Sequence, residues 1–256
     1  MRPGKIIGFL VCTFILLLLG SNSDAQISVG GALSKFASAG VAYKEGRYDE
    51  AISRYNEILS AGRENGPIYY NLGNSYFKKG DMGNTALNYV RAKKFIPRDS
   101  DLMFNEKYIQ SKIDQYGVEK NPNVFEDVLK DFIRFLTVDE MVIIVVGLIV
   151  IVGFLVICSQ YFRWPPQWSR WVLGLLVTIF AVFVISLMVK VSYEANLAVI
   201  MKRTDSYFEP RADSTVHFKM SEGMTIRVLK TEGNWTKIQR LDGKIGWIDI
   251  KNAEKI

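Results

Sequence analysis

Two stretches of this 256-residue chain, 141–158 and 171–189, contain no charged side chain at all. As helices rising 1.5 Å per residue, they cover about 27–29 Å, close to the thickness of a bilayer's hydrocarbon core. A helix buried in a soluble domain normally keeps a polar stripe, and neither stretch has one. The runs therefore predict two transmembrane helices, over 141–160 and 171–191. The link between them, 161–170, holds Arg163 and Arg170 and no acid, with Trp164, Pro165, Pro166 and Trp168 suited to an interfacial turn. Basic short links stay in the cytoplasm, so both flanking parts of the chain are expected on the far side.

The N-terminus points the same way. Arg2 and Lys5 precede an apolar run over 6–19, and Ser23-Asp24-Ala25 offers small residues where a signal peptidase cuts. Residues 1–25 read as a signal peptide with Gln26 as the mature start; an uncleaved signal anchor is the other reading. Both send residue 26 outward. The two cysteines, Cys12 and Cys158, lie in apolar runs, so no disulfide framework and no cysteine zinc site is available.

Composition narrows the partners. The net charge of +6 nearly vanishes when it is divided along the chain: 26–137 carries 16 basic and 14 acidic residues, and 192–256 carries 11 and 9. Neither is basic enough for a nucleic-acid footprint. Hydrophobic residues make up 49%, which excludes a disordered chain.

Residues 26–120 carry a repeat. Lys44-Glu45-Gly46-Arg47-Tyr48-Asp49-Glu50-Ala51 and Lys78-Lys79-Gly80-Asp81-Met82-Gly83-Asn84-Thr85 are offset by 34 residues, as are Tyr55 and Tyr89. The period and its helix–turn–helix patterning resemble the tetratricopeptide repeat, best in the copy Tyr69-Tyr70-Asn71-Leu72-Gly73-Asn74-Ser75-Tyr76-Phe77, followed by Gly80, Tyr89, Ala92 and Pro97. Ala39, Ala51, Gly73 and Ala92 are expected where paired helices approach closely, and Gly46 and Gly80 at the turns. Residues 100–115 supply a capping helix, with Leu102, Phe104, Tyr108, Ile109 and Ile113 apolar. The resemblance implies a concave groove lined by first helices, with Phe36, Tyr43, Tyr70, Asn74, Phe77 and Lys78 as candidate partner-binding residues. Residues 121–140 form an amphipathic connector, apolar at Phe125, Val128, Leu129, Phe132, Ile133 and Leu136.

From 197 to 256 the pattern turns to β. Short apolar runs at 198–200, 225–229, 235–239 and 245–248 are separated by Glu222-Gly223, Glu232-Gly233-Asn234 and Asp242-Gly243-Lys244, the last a hairpin signal. The order of these runs and turns resembles a bacterial SH3-type domain. Such domains bind peptide or cell-wall material; Trp235 and Trp247 are expected in the barrel core, and Tyr207 and Phe208, on the first long loop, as exposed contacts.

The expected fold class is thus a multidomain membrane protein: all-α tetratricopeptide-type repeats, two transmembrane helices and a small all-β SH3-like barrel. No catalytic constellation stands out. His217 is the single histidine, and neither a P-loop nor a dinucleotide fingerprint is present. No catalytic residue, metal ligand or cofactor is expected, and the chain does not read as an enzyme.

The order signal, repeats, two spans, SH3-type domain is similar to the E-type (BatE-like) proteins of the Bat, or Bacteroides aerotolerance, operon. This resemblance implies a two-pass protein of the bacterial inner membrane with both folded domains periplasmic. It also implies protein partners: von Willebrand A-domain membrane proteins and, indirectly, a MoxR-type AAA+ ATPase, in aerotolerance or envelope stress. The leading expectation is a scaffold or adaptor. The alternative is a peptidoglycan-binding or envelope-sensing protein.

Overall fold

A computed structural model describes residues 24–113, 135–161 and 166–256. Nearly all of the expected leader, most of the connector (121–134), and Arg163, Trp164 and Pro165 of the link lie outside the described residues. The chain divides into two compact units, the first ending at Ala61 and the second running from Gly62 to Ile256.

The first unit is a helical hairpin of α1 (Asp24–Lys44) and α2 (Tyr48–Ser60). Gly46 turns the chain between them with φ of +78°, a left-handed conformation that costs glycine nothing. Ala39, Ala42 and Ala51 are fully buried, so the backbones close on each other, and Tyr55 and Ile58 fill the remaining space. Burial and the neighbouring Tyr43 push the Tyr55 hydroxyl up to about 12.

In the second unit α3 (Gly66–Lys79) and α4 (Met82–Phe95) form another hairpin, and α5 (Ser100–Lys112) follows. Each start is fixed by a side chain that satisfies an orphan amide. Asn65 Oδ1 accepts from the Ile68 N–H at 2.9 Å, Asp81 Oδ1 from Asn84 at 2.8 Å, and Asp99 Oδ1 from Leu102 at 2.8 Å. Gly80 ends α3 in the left-handed conformation, φ +81°. Gly73 marks the closest approach: a Cβ there would lie 2.6 Å from the Tyr89 ring. Of the apolar positions expected on α5 and just beyond, Leu102, Ile109 and Ile113 are buried, whereas Phe104 is 70% exposed and Tyr108 also faces outward.

Two long apolar helices come next, α6 (Val138–Tyr161) and α7 (Pro166–Ala195). Both are long and apolar enough to cross a membrane, and only 6% of each apolar window is buried within the protein, unlike a soluble core helix. They extend further than the uncharged runs. Thr137 and Glu140 cap α6 reciprocally, Glu140 N–H donating to Thr137 Oγ1 at 3.1 Å and Thr137 N–H to Glu140 Oε2 at 2.8 Å, so helix begins inside the expected connector. Pro166 opens α7, a position where its missing N–H is harmless, so 166–170 is helical instead of link.

A single residue, Asn196, joins α7 to the β-domain. Its seven strands are β1 (Leu197–Ile200), β2 (Thr204–Tyr207), β3 (Val216–Met220), β4 (Thr225–Glu232), β5 (Trp235–Gln239), β6 (Ile245–Asp249) and β7 (Ala253–Lys255). They form one antiparallel sheet in the order β3-β2-β6-β5-β4-β1-β7. The sheet curls, because Phe218 and Met220 from the edge strand β3 share a core with Ala198, Ile200, Ile226, Ile238 and Ile248. Ile113, at the end of α5, enters the same core. Further ties run from α4: the Gly83 N–H donates to Glu222 at 2.9 Å, and Arg91 pairs with Glu254 at 2.9 Å.

Candidate functional site

Two surfaces gather the residues singled out in the sequence. The first lies on the helices of the second unit. Tyr70 stacks on Tyr89 at 5.9 Å, and the Tyr89 hydroxyl donates to Asn74 Oδ1 at 2.6 Å. From α5, Asn105 Nδ2 donates to the Tyr70 hydroxyl at 2.9 Å and to Asn74 Oδ1 at 3.3 Å. One turn on, Tyr108 meets Phe77 edge-on at 5.9 Å, and Lys78 is exposed. Tyr70, Asn74 and Phe77 therefore share one side of α3 and are met by α5. No sequence signal marks Asn105, which looks like any polar residue of a capping helix. Phe36 and Tyr43 belong to the first unit, where they lie edge-on to Tyr55 at 5.7 Å and Tyr48 at 5.6 Å.

The second surface is the outer face of the sheet. Side chains alternate across a strand, so with Thr236, Ile238 and Ile248 buried, Trp235, Lys237 and Trp247 point away from the core. Register then lines up a row across the sheet: Lys230 opposite Lys237, Lys237 opposite Trp247, and Trp247 opposite Tyr207. The Lys230 and Lys237 ammonium groups sit 5.2 and 5.8 Å from the Trp247 ring centre. Trp235 meets Tyr207 edge-on at 5.6 Å. Phe208 is 57% exposed and lies 4.0 Å from the His217 ring, which in turn contacts Phe218. Trp247 is only 6% exposed and Lys230 already pairs with Glu232 at 2.5 Å, so the row offers a ligand the Tyr207 ring and the Lys237 ammonium, with Trp235 and Phe208 beside them.

Residues 207–252 match the bacterial SH3 domain family.

The match begins at Tyr207, and the sheet of this SH3-like domain extends beyond it to include β1 and β7. Bacterial SH3 domains bind peptidoglycan or proteins. No curated protein shows a significant match to the chain.

Within the SH3-like domain two expectations need correction. Tyr207 is not on a loop: it closes β2 and pairs with Val216 and Trp247. The strand signal at Thr204-Asp205-Ser206-Tyr207 was hidden by its polar residues. Trp235 is half-buried on the outer face and not in the core, whereas Trp247 is buried as expected, 6% exposed beneath the Lys230 and Lys237 ammonium groups. The expected Asp242-Gly243 hairpin does join β5 to β6, with the Arg240 N–H donating to the Lys244 carbonyl at 2.9 Å. Arg240 donates to Asp242 through Nε and Nη2 while its guanidinium lies 5.0 Å from the Phe218 ring centre. This guanidinium holds the Asp242 carboxyl below the usual range, with help from the Lys244 N–H. Among the described residues no group of His, Cys, Asp and Glu side chains is arranged to hold a metal ion.

Proposed function

We propose that the chain is a two-pass membrane scaffold that recognises partners outside the cytoplasm, and that it binds instead of catalysing. The SH3-like domain is the primary recognition module, with Lys237, Tyr207 and the neighbouring Trp235 and Phe208 as its contact surface over the buried Trp247. The helical hairpins act as tetratricopeptide-type repeats. Their 34-residue offset, glycine turns and close packing at Gly73 support that reading, and Tyr70, Asn74, Phe77 and Lys78 form part of a second contact surface.

The observation that carries the reading is the bond pair between α4 and the SH3-like domain, Gly83 to Glu222 and Arg91 to Glu254. Parts of a chain that touch lie in one compartment, and two spans between them return the chain to the side it left. This agrees with the signal-like leader and the basic link, which independently favour both modules on the periplasmic side of a bacterial inner membrane. The similarity to the E-type proteins of the Bat operon extends the proposal to its partners: von Willebrand A-domain membrane proteins and, through them, a MoxR-type AAA+ ATPase. A second reading, peptidoglycan binding or envelope sensing, is favoured by the exposed Phe208 and the half-buried Trp235, since aromatic faces also stack on sugars.

Crosslinking and affinity recovery from native membranes separates the two. The scaffold reading expects A-domain membrane proteins with the intact chain and a marked loss for the double variant Tyr207→Ala, Trp235→Ala. Recovery of wall fragments with no protein partner would favour the second reading. Unchanged recovery with the variant would remove this surface from either one.

A further inference from the structure

A recess of about 450 Å³ opens where the end of α7 meets β4. Its walls divide by chemistry. Met188, Val189 and Leu229 are apolar and exposed; Tyr193, Asn196 and Arg227 are polar. Leu229 faces it for an identifiable reason. Alternation along β4 buries Ile226 and Val228 and turns Arg227 and Leu229 to the same outer side. Arg227 lies with its guanidinium carbon 4.9 Å from the Tyr193 ring centre, and it has no carboxylate partner among the described residues.

The depth of these groups follows from the helix, and so the inference rests on the reading of α7 as a membrane span. If the uncharged run 171–189 fills the hydrocarbon, Val189 stands at its edge. Tyr193 and Asn196 then lie about 6–10 Å beyond it at 1.5 Å per residue. The headgroup layer occupies about 5–8 Å on each side of the hydrocarbon. Asn196 alone separates α7 from β1, and Val228 donates its N–H to the Asn196 carbonyl at 2.8 Å, so the SH3-like domain cannot drift from the surface. Its Arg227 is held at headgroup depth beside a tyrosine, a residue enriched at that level.

We propose that this recess binds the headgroup of an anionic phospholipid, with Arg227 on the phosphate, Tyr193 stacked beside it, and Met188, Val189 and Leu229 against the first methylenes of the acyl chains. Such a lipid fixes the tilt of the SH3-like domain over the membrane and so the direction in which its aromatic row faces. Guanidinium pairs with phosphate through two parallel hydrogen bonds, and unlike a partnered arginine Arg227 breaks no ion pair to do so.

The full-length protein, purified in detergent, is tested by native mass spectrometry with added phosphatidylglycerol or zwitterionic phosphatidylethanolamine. Phosphatidylglycerol is expected to bind preferentially. Arg227→Gln weakens it about five-fold, the weight of one basic side chain at an anionic surface. Arg227→Lys retains most of the binding, and millimolar inorganic phosphate does not compete. Equal binding by Arg227→Gln overturns the proposal. Displacement by inorganic phosphate overturns it too, and makes the recess a site for free anions. Alkaline extraction of membranes tests the span separately: release of the chain would end the transmembrane reading whatever the lipid result, and retention with Arg227-independent binding would end this proposal alone.

Discussion

The backbone N–H of Gly83 donates a 2.9 Å hydrogen bond to the Glu222 carboxylate, 139 residues further along the chain. Gly83 lies in the first turn of α4, where amides have no partner within the helix and the dipole favours an anion. A turn of the SH3-like domain thus caps the start of α4. The approach is tight on both sides: a Cβ on Gly83 would lie 3.0 Å from the Met201 carbonyl oxygen. Replacing Glu222 with Ala is expected to cost about 1 kcal/mol. Hydrogen exchange of the full-length protein should then quicken in the first turn of α4; unchanged protection would mean that the carboxylate does not cap the helix.

Gly73→Ala should be more damaging than an alanine in a helix usually is. Alanine is the better helix former, and at an exposed site it would stabilise. Here its methyl would meet the Tyr89 ring, which is itself buried and bonded to Asn74. Overpacking of this kind costs about 1–3 kcal/mol. A lowered unfolding temperature is the expected result, and an unchanged or raised one would contradict the close approach at Gly73.

Acid should weaken the SH3-like domain through Asp242. Its carboxyl is held low by Arg240, so the stabilisation is fully present above the unfolded value of about 3.9 and disappears as pH falls through the lower folded value. Asp242→Asn removes this component of the pH dependence and lowers stability at neutral pH. Parallel pH–stability curves for the two proteins below pH 4 would contradict the assignment.

Tyr69 and Tyr55 should titrate late. Burial pushes both hydroxyls up to about 12, and Glu64 adds to the effect at Tyr69. For a tyrosine with a raised folded value, stability is retained below about pH 10 and declines as pH rises towards 12. In the ultraviolet titration of the native protein, each of Tyr55→Phe and Tyr69→Phe should remove absorbance change only from the most alkaline step.

Much of this architecture is legible in the sequence because its signals are strong and local. Uncharged runs of 18 and 19 residues have few alternatives to long apolar helices, and a glycine recurring at 46 and 80 marks two turns with the same backbone geometry. Four strands announce themselves by apolar alternation. Three do not: Thr204–Tyr207 is mostly polar, Val216–Met220 is interrupted by His217 and Lys219, and Ala253–Lys255 is short and charged and pairs with β1 from the other end of the domain. The aromatic row is a product of register: nothing in the sequence states that Lys237, Trp247 and Tyr207 are adjacent, because that depends on how three strands align. Arg227 and Leu229 likewise read as routine outward residues of a strand until the fold sets the end of a long helix beside them.

In the proposed topology both modules face away from the cytoplasm. A protein lacking Cys12 and Cys158 and carrying a single new cysteine, either Asn234→Cys in the exposed β4–β5 turn or Gln167→Cys at the start of α7, tests it directly. With a membrane-impermeant maleimide in intact cells whose outer membrane has been made permeable, Asn234→Cys should be labelled at once, and Gln167→Cys only after the inner membrane is broken. Labelling of Gln167→Cys in intact cells with Asn234→Cys protected would contradict the account.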